Sequence, residues 1–182
     1  MKKSASMLVS AALLIVGLVA CPSDKTEVTP PAEVVTTELI LNGGFEADSN
    51  NWTFAADSFR SKSSRCVKTG AFSSALVAGS KGFATISQAI NVPTQGTAAL
   101  KYSVRIDTNE KPGIASATLI VRANETKINT LTTADLRGEY KEYNFDLSKF
   151  AGTSVNIEFA GKFDQSVVTT FCIDDVSAIN SR

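Results

Sequence analysis

The 182 residues carry 18 Lys and Arg against 18 Asp and Glu, so the chain lacks the basic surplus that a nucleic-acid partner requires, and none is expected. Histidine is absent, which excludes His-based triads, His metal ligands and the commonest general base near neutral pH. With 43% apolar residues at this length, the sequence suits one domain around one sizeable core.

Lys2 and Lys3 precede an uncharged apolar stretch over residues 5–20, the layout of a cleaved export signal. An uncleaved membrane anchor is the alternative, but the run is short for a span of roughly twenty apolar residues. Leu18-Val19-Ala20-Cys21 resembles the lipobox of bacterial lipoproteins, in which the Cys receives the lipid and becomes the mature N-terminus. That resemblance implies a signal peptide over residues 1–20, lipidation at Cys21, and a protein held to the membrane on the extracytoplasmic side of the cell envelope. Acyl chains contribute about 0.8 kcal/mol per buried methylene, and a lasting anchor takes more than one of them. Residues 22–37 are rich in Pro, Thr, Ser, Glu and Val. With Cys21 they read as a flexible linker, residues 21–37, leaving 38–182 as the folded domain.

Within that domain short apolar alternations are separated by turn residues, the signature of an all-β sandwich or barrel. Leu39 and Leu41 alternate before Asn42-Gly43-Gly44. Ile86, Gln88, Ile90 and Val92 alternate up to Pro93, which cannot donate a ladder hydrogen bond and stops the strand. Leu100 to Ile106, the apolar run 117–123, Tyr143 with Phe145, and Val155, Ile157 and Phe159 continue the pattern. Residues 133–140 and 147–150 have room only for a helical turn. Gln88 is in phase with the apolar side of its strand, so its amide is expected to bond to backbone inside the core.

The last strand, residues 169–179, contains Cys172 and the adjacent Asp174 and Asp175. Carboxylates form strands poorly, so a metal, a turn or a bulge is needed there. In a regular strand the two would point to opposite faces, which argues against a glycosidase pair. Once Cys21 is lipidated, Cys66 and Cys172 remain as an even pair in an oxidising compartment, and a disulfide is expected. Two buried free thiols, or a reactive one, are the alternatives.

The order LNGGFE (41–46), Trp52, GAFSSALVA (70–78), ISQAINVP (86–93), YNFDLSKFAG (143–152) and FCIDDV (171–176) resembles the galactose-binding-like jelly rolls of secreted bacterial proteins, which include carbohydrate-binding modules. The resemblance implies a jelly-roll β-sandwich of two antiparallel sheets. It also implies that the first and last strands lie together and that a structural calcium is held by Glu46 and Asp174; the alternative is that Asp174 accepts backbone N–H groups in a turn while Glu46 is solvated. Members often carry two successive aromatic residues where this chain has Tyr102-Ser103. Trp52 is expected in the core rather than as a sugar platform.

Fold alone does not fix function. The expectation is a lipid-anchored, non-catalytic module of the cell envelope that binds carbohydrate or cell-wall polymer. A structural or protein-interaction domain with an envelope protein as partner is the alternative. A hydrolase lacks any visible nucleophile and base or paired carboxylates. Phe59, Arg60, Tyr140 and the loop 107–111 are exposed candidates near strand ends, but they converge on no site, and the ligand-binding residues stay unknown at this level.

Overall fold

The computed structural model describes residues 33–79, 82–135, 137–164 and 167–182. The expected signal peptide, Cys21 and the linker up to residue 32 lie outside them. Among the described residues the elements are β1 (Thr36–Glu38), β2 (Thr53–Ala56), β3 (Ser58–Ser61), β4 (Ser73–Val77), β5 (Phe83–Asn91), β6 (Thr97–Thr108), β7 (Ala117–Ala123), β8 (Thr126–Thr132), β9 (Lys141–Asp146), a 3-10 turn (Ser148–Phe150), β10 (Ser154–Phe163) and β11 (Thr169–Ser181).

They form two antiparallel sheets. One runs β3-β4-β11-β6-β9, with β1 also paired to β11, and the other runs β2-β5-β10-β7-β8. The inward phase of each central strand is the apolar phase read from the sequence: Ile86, Ile90, Leu100, Tyr102, Val104, Ile106, Val155, Ile157 and Phe159 are all buried in one cluster between the sheets. Apolar burial at about 25 cal/mol per Å² of removed surface makes this cluster the main stabilising term. Gln88 is buried among them, donating to the Leu41 carbonyl and accepting the Leu41 N–H, so its amide pairs with backbone as expected.

Several expectations are corrected. The first strand lies before Leu39, at Thr36–Glu38, and takes Thr36 and Thr37 from the stretch read as linker. Ile40, rather than Leu41, is the buried residue of that segment, and Leu41 is exposed. The strand ends because the Glu38 carboxylate caps the next turn of chain, accepting the N–H groups of Ile40 and Ala178. Residues 147–150 hold the short helical turn, whereas the described part of 133–140 is turn and irregular backbone. β2, β3 and β8 carry no clean alternation in the sequence; all three are edge strands, which bury one side at most and pack little.

β11 organises the six-stranded sheet. β6 pairs along its length, while its other flank is shared by β4 at residues 170–173 and β1 at residues 179–181. Between those two partners the strand bulges, with a register shift from Asp174 to Ser177 and a φ of +50° at Asp175. The bulge is the local reason for two adjacent carboxylates inside a strand. The LNGGFE turn fills the gap, its Gly43 carbonyl accepting the Val176 N–H at 3.0 Å.

Candidate functional site

The outer face of the six-stranded sheet is covered by the segment 62–72. Cys66 is bonded to Cys172 on β11, with Cα atoms 5.0 Å apart, so the expected disulfide is present. Tyr140 donates its hydroxyl to the Cys66 carbonyl and packs on the bridge, which removes it from the exposed candidates. Asp174, fully buried, accepts the N–H groups of Lys68 at 2.8 Å and Thr69 at 3.2 Å. Burial pushes its carboxyl above the usual range, against the hydrogen bonds from Lys68, Asp175 and Thr69.

The facing of Asp175 is corrected. The sequence placed its side chain on the opposite face, but the positive φ of the bulge turns it to the same segment, where it meets the Lys68 ammonium at 2.7 Å and the Thr69 hydroxyl. Burial raises its carboxyl, yet those two partners outweigh it and hold it below the usual range. Glu46 Oε1 accepts the N–H groups of Ala71 and Phe72 at 2.9 and 3.0 Å. Glu46 and Asp174 therefore grip two ends of one segment. Calcium takes six to eight oxygens; Glu46 Oε1 and the two Asp174 oxygens already accept N–H groups here. No cluster of three or more Cys, Asp or Glu surrounds them among the described residues.

The outer face of the five-stranded sheet carries a polar depression. Arg122 on β7 lies opposite Glu158 on β10 in the pairing register, and the two form an ion pair at 2.6 Å. The β7–β8 turn, Asn124-Glu125, closes one side: Asn124 holds a φ of +52° and its amide oxygen accepts the Asn156 N–H at 2.8 Å. Arg122, Asn124, Glu125, Asn156 and Glu158 line a depression of about 480 Å³. Each has a planar polar group, and together they offer donors and acceptors side by side. The sequence did not single them out. Its signal was the polar outward phase of two strands, Asn156 and Glu158 between Val155, Ile157 and Phe159, and Arg122 within the apolar run of β7; the missing information was that β10 and β7 are neighbours.

Of the remaining candidates, Trp52 is buried, its indole N–H donating to the Asn42 carbonyl at 3.0 Å and its ring 5.1 Å from that of Phe45. The 107–111 loop is pinned rather than free. Its Glu110 is buried and accepts the Ser116 N–H at 2.9 Å and the Thr133 hydroxyl. Tyr102 is fully buried and stacks against Phe145, so it offers no platform. Phe59 and Arg60 line a separate cleft at the β2–β3 edge.

No family model and no curated protein match the chain. Solved structures do. TmCBM61 in complex with β-1,4-galactotriose superposes with a TM-score of 0.56 at 13% identity, over 78% of this chain and 97% of that one. The chain has the jelly-roll β-sandwich fold of carbohydrate-binding modules. A family 16 carbohydrate-binding module matches with a TM-score of 0.53 at 20% identity, over 77% and 98% of the two chains. The CBM22-1 xylan-binding domain of Paenibacillus barcinonensis Xyn10C gives 0.53 at 11% identity, over 82% and 97%. At these identities the likeness is one of fold.

Proposed function

We infer that the protein is a non-catalytic glycan-binding module and that the depression on the five-stranded sheet holds the ligand. The observation that carries this reading is the side-by-side arrangement of Arg122, Asn124, Asn156 and Glu158 on the uncovered face of a sandwich whose other face is strapped over. Sugar hydroxyls both donate and accept, and planar amide, guanidinium and carboxylate groups in one depression match them in pairs. Its size lies within the range of small-ligand pockets. The Arg122 charge is already offset by Glu158, and Glu125 adds a negative one, so the site suits a neutral oligosaccharide and disfavours polyuronate or other anionic chains.

The lipobox-like Leu18-Val19-Ala20-Cys21 supports a second part of the proposal: the module is tethered by lipid at the extracytoplasmic surface of the envelope, where cell-wall or extracellular polysaccharide is in reach. Fractionation tests it. Cys21→Ala should move the protein from the membrane to the soluble fraction, and unchanged retention would contradict lipidation.

Titration of the full chain with β-1,4-galactotriose and xylohexaose tests the binding reading, with polygalacturonate as the anionic control. Binding of a neutral oligosaccharide that Glu158→Gln weakens supports it. Absence of binding across a neutral glycan panel, with a single protein recovered by cross-linking on intact cells, would replace it by the envelope-protein alternative.

A further inference from the structure

A second cleft lies where the two sheets part. β2 and β3 are the last strands of opposite sheets and follow one another in the chain, so their edges face across the side of the sandwich. Between them is an opening of about 390 Å³. Three of its lining residues are aromatic: Trp52, fixed by its bond to the Asn42 carbonyl, Phe54, packed against the core, and Phe59, which is 48% exposed. The others include Asp48 and Arg60.

Arg60 is held rigidly. Its Nε donates to the Phe45 carbonyl at 2.5 Å, its Nη2 to the Glu46 carbonyl at 2.9 Å, and its guanidinium carbon sits 3.0 Å from the centre of the Phe72 ring. Its Nη1 is 3.9 Å from the Asp48 carboxylate, beyond hydrogen-bond reach, and the Asp48 side chain is 84% exposed. A fixed donor and an exposed acceptor thus stand across a gap that one hydroxyl group can bridge, accepting from Nη1 and donating to Asp48. Beside them is an aromatic residue nearly half exposed at the rim of a cleft.

We propose that this edge cleft is a second, independent glycan contact that takes one pyranose ring, with its apolar C–H face toward Phe59 and its hydroxyl edge between Asp48 and Arg60. Apolar lining with a few placed polar groups is the usual chemistry of a small-ligand site, and a pyranose carries both faces on one ring. The proposal rests on the glycan-binding reading but on none of the residues of the sheet-face depression.

Trp52 is the single tryptophan of the chain and lines the cleft, so its emission reports on this site. The full chain is titrated with β-1,4-galactotriose and xylohexaose to about 10 mM, enough to detect millimolar affinity, while the side-chain amide signals of Asn124 and Asn156 are followed by NMR. The expected result is a saturable change in Trp52 emission that persists in Glu158→Gln and is weakened at least tenfold in Phe59→Ala and in Asp48→Gly. Glycine keeps the φ of +57° that Asp48 adopts, and matched melting curves establish that both variants fold. Shifts of Asn124 and Asn156 with no Trp52 response would overturn the edge cleft and leave the glycan reading standing. A Trp52 response unchanged in Phe59→Ala and Asp48→Gly would also overturn it. Silence at both places would overturn both.

Discussion

The Asp174 carboxylate accepts the Lys68 N–H at 2.8 Å across 106 residues, and Cys172, two positions earlier, is bonded to Cys66 across the same separation. The segment 62–72 is thus fixed to β11 covalently, by the buried Asp174 carboxylate, and by the Asp175 ion pair with Lys68. Cys66 and Cys172 should resist thiol labelling in the native protein until it is reduced. Replacing both by Ser should cost about 2–5 kcal/mol in denaturant unfolding. Rapid labelling of either cysteine without reductant would contradict the bridge.

Asp174→Asn separates the two readings of that carboxylate. Its oxygens accept three backbone N–H groups, from Lys68, Thr69 and Asp175, and an amide would set an NH2 against one or more of these donors. Loss of buried acceptors costs roughly 1–3 kcal/mol, and that loss should appear equally in calcium and in chelator. A melting temperature of the native protein that rises with calcium, by an amount Asp174→Asn abolishes, would instead place an ion between Asp174 and Glu46.

The two adjacent glycines of the LNGGFE turn should differ sharply. A Cβ on Gly43 would overlap the Val176 carbonyl, whereas one on Gly44 meets nothing closer than the Glu46 side chain at 3.8 Å. Gly43→Ala should therefore push the turn away from the β11 bulge and destabilise the fold by more than about 1 kcal/mol, with Gly44→Ala much milder. Equal melting temperatures for the two variants would show that the turn does not dock on Val176 as described.

Acid should loosen the 107–116 loop. Burial raises the Glu110 carboxyl, but hydrogen bonds from Ser116 and Thr133 and the nearby Arg137 outweigh it, and its pKa lies below the ordinary glutamate value. A depressed folded pKa gives stability that is present above the unfolded value and lost as pH falls through the folded one. Glu110→Gln should thus melt below the native protein at pH 7, with the difference shrinking below about pH 4. Asp174 runs the other way: its pKa is raised in the fold, so the stability its charge costs at neutral pH is recovered as pH falls through that raised value. A Glu110→Gln deficit independent of pH would refute the assignment.

Much of the sandwich was legible because period-two alternation survives in the long central strands β5, β6 and β10. Val155, Ile157 and Phe159 on β10 and Leu100 to Ile106 on β6 read directly as buried faces. β2, β3 and β8 did not, since these edge strands bury too little to impose a pattern, whereas β9, also at an edge, keeps Tyr143 and Phe145 in phase. The double carboxylate at Asp174 and Asp175 announced an irregularity, but its direction depended on a positive φ at Asp175, which residue identity alone does not reveal. The sheet-face depression was hidden for a different reason. Arg122 and Glu158 are 36 residues apart, and only the β7–β10 pairing brings them together.

The most direct test of the account is the affinity of the full chain and of Glu158→Gln for a neutral oligosaccharide, measured by isothermal titration with xylohexaose and β-1,4-galactotriose. The expected result is binding by the native protein, at least tenfold weaker binding by Glu158→Gln with an unchanged fold, and no binding of polygalacturonate. Binding of polygalacturonate in preference to neutral chains, or neutral-chain affinity untouched by Glu158→Gln, would contradict it.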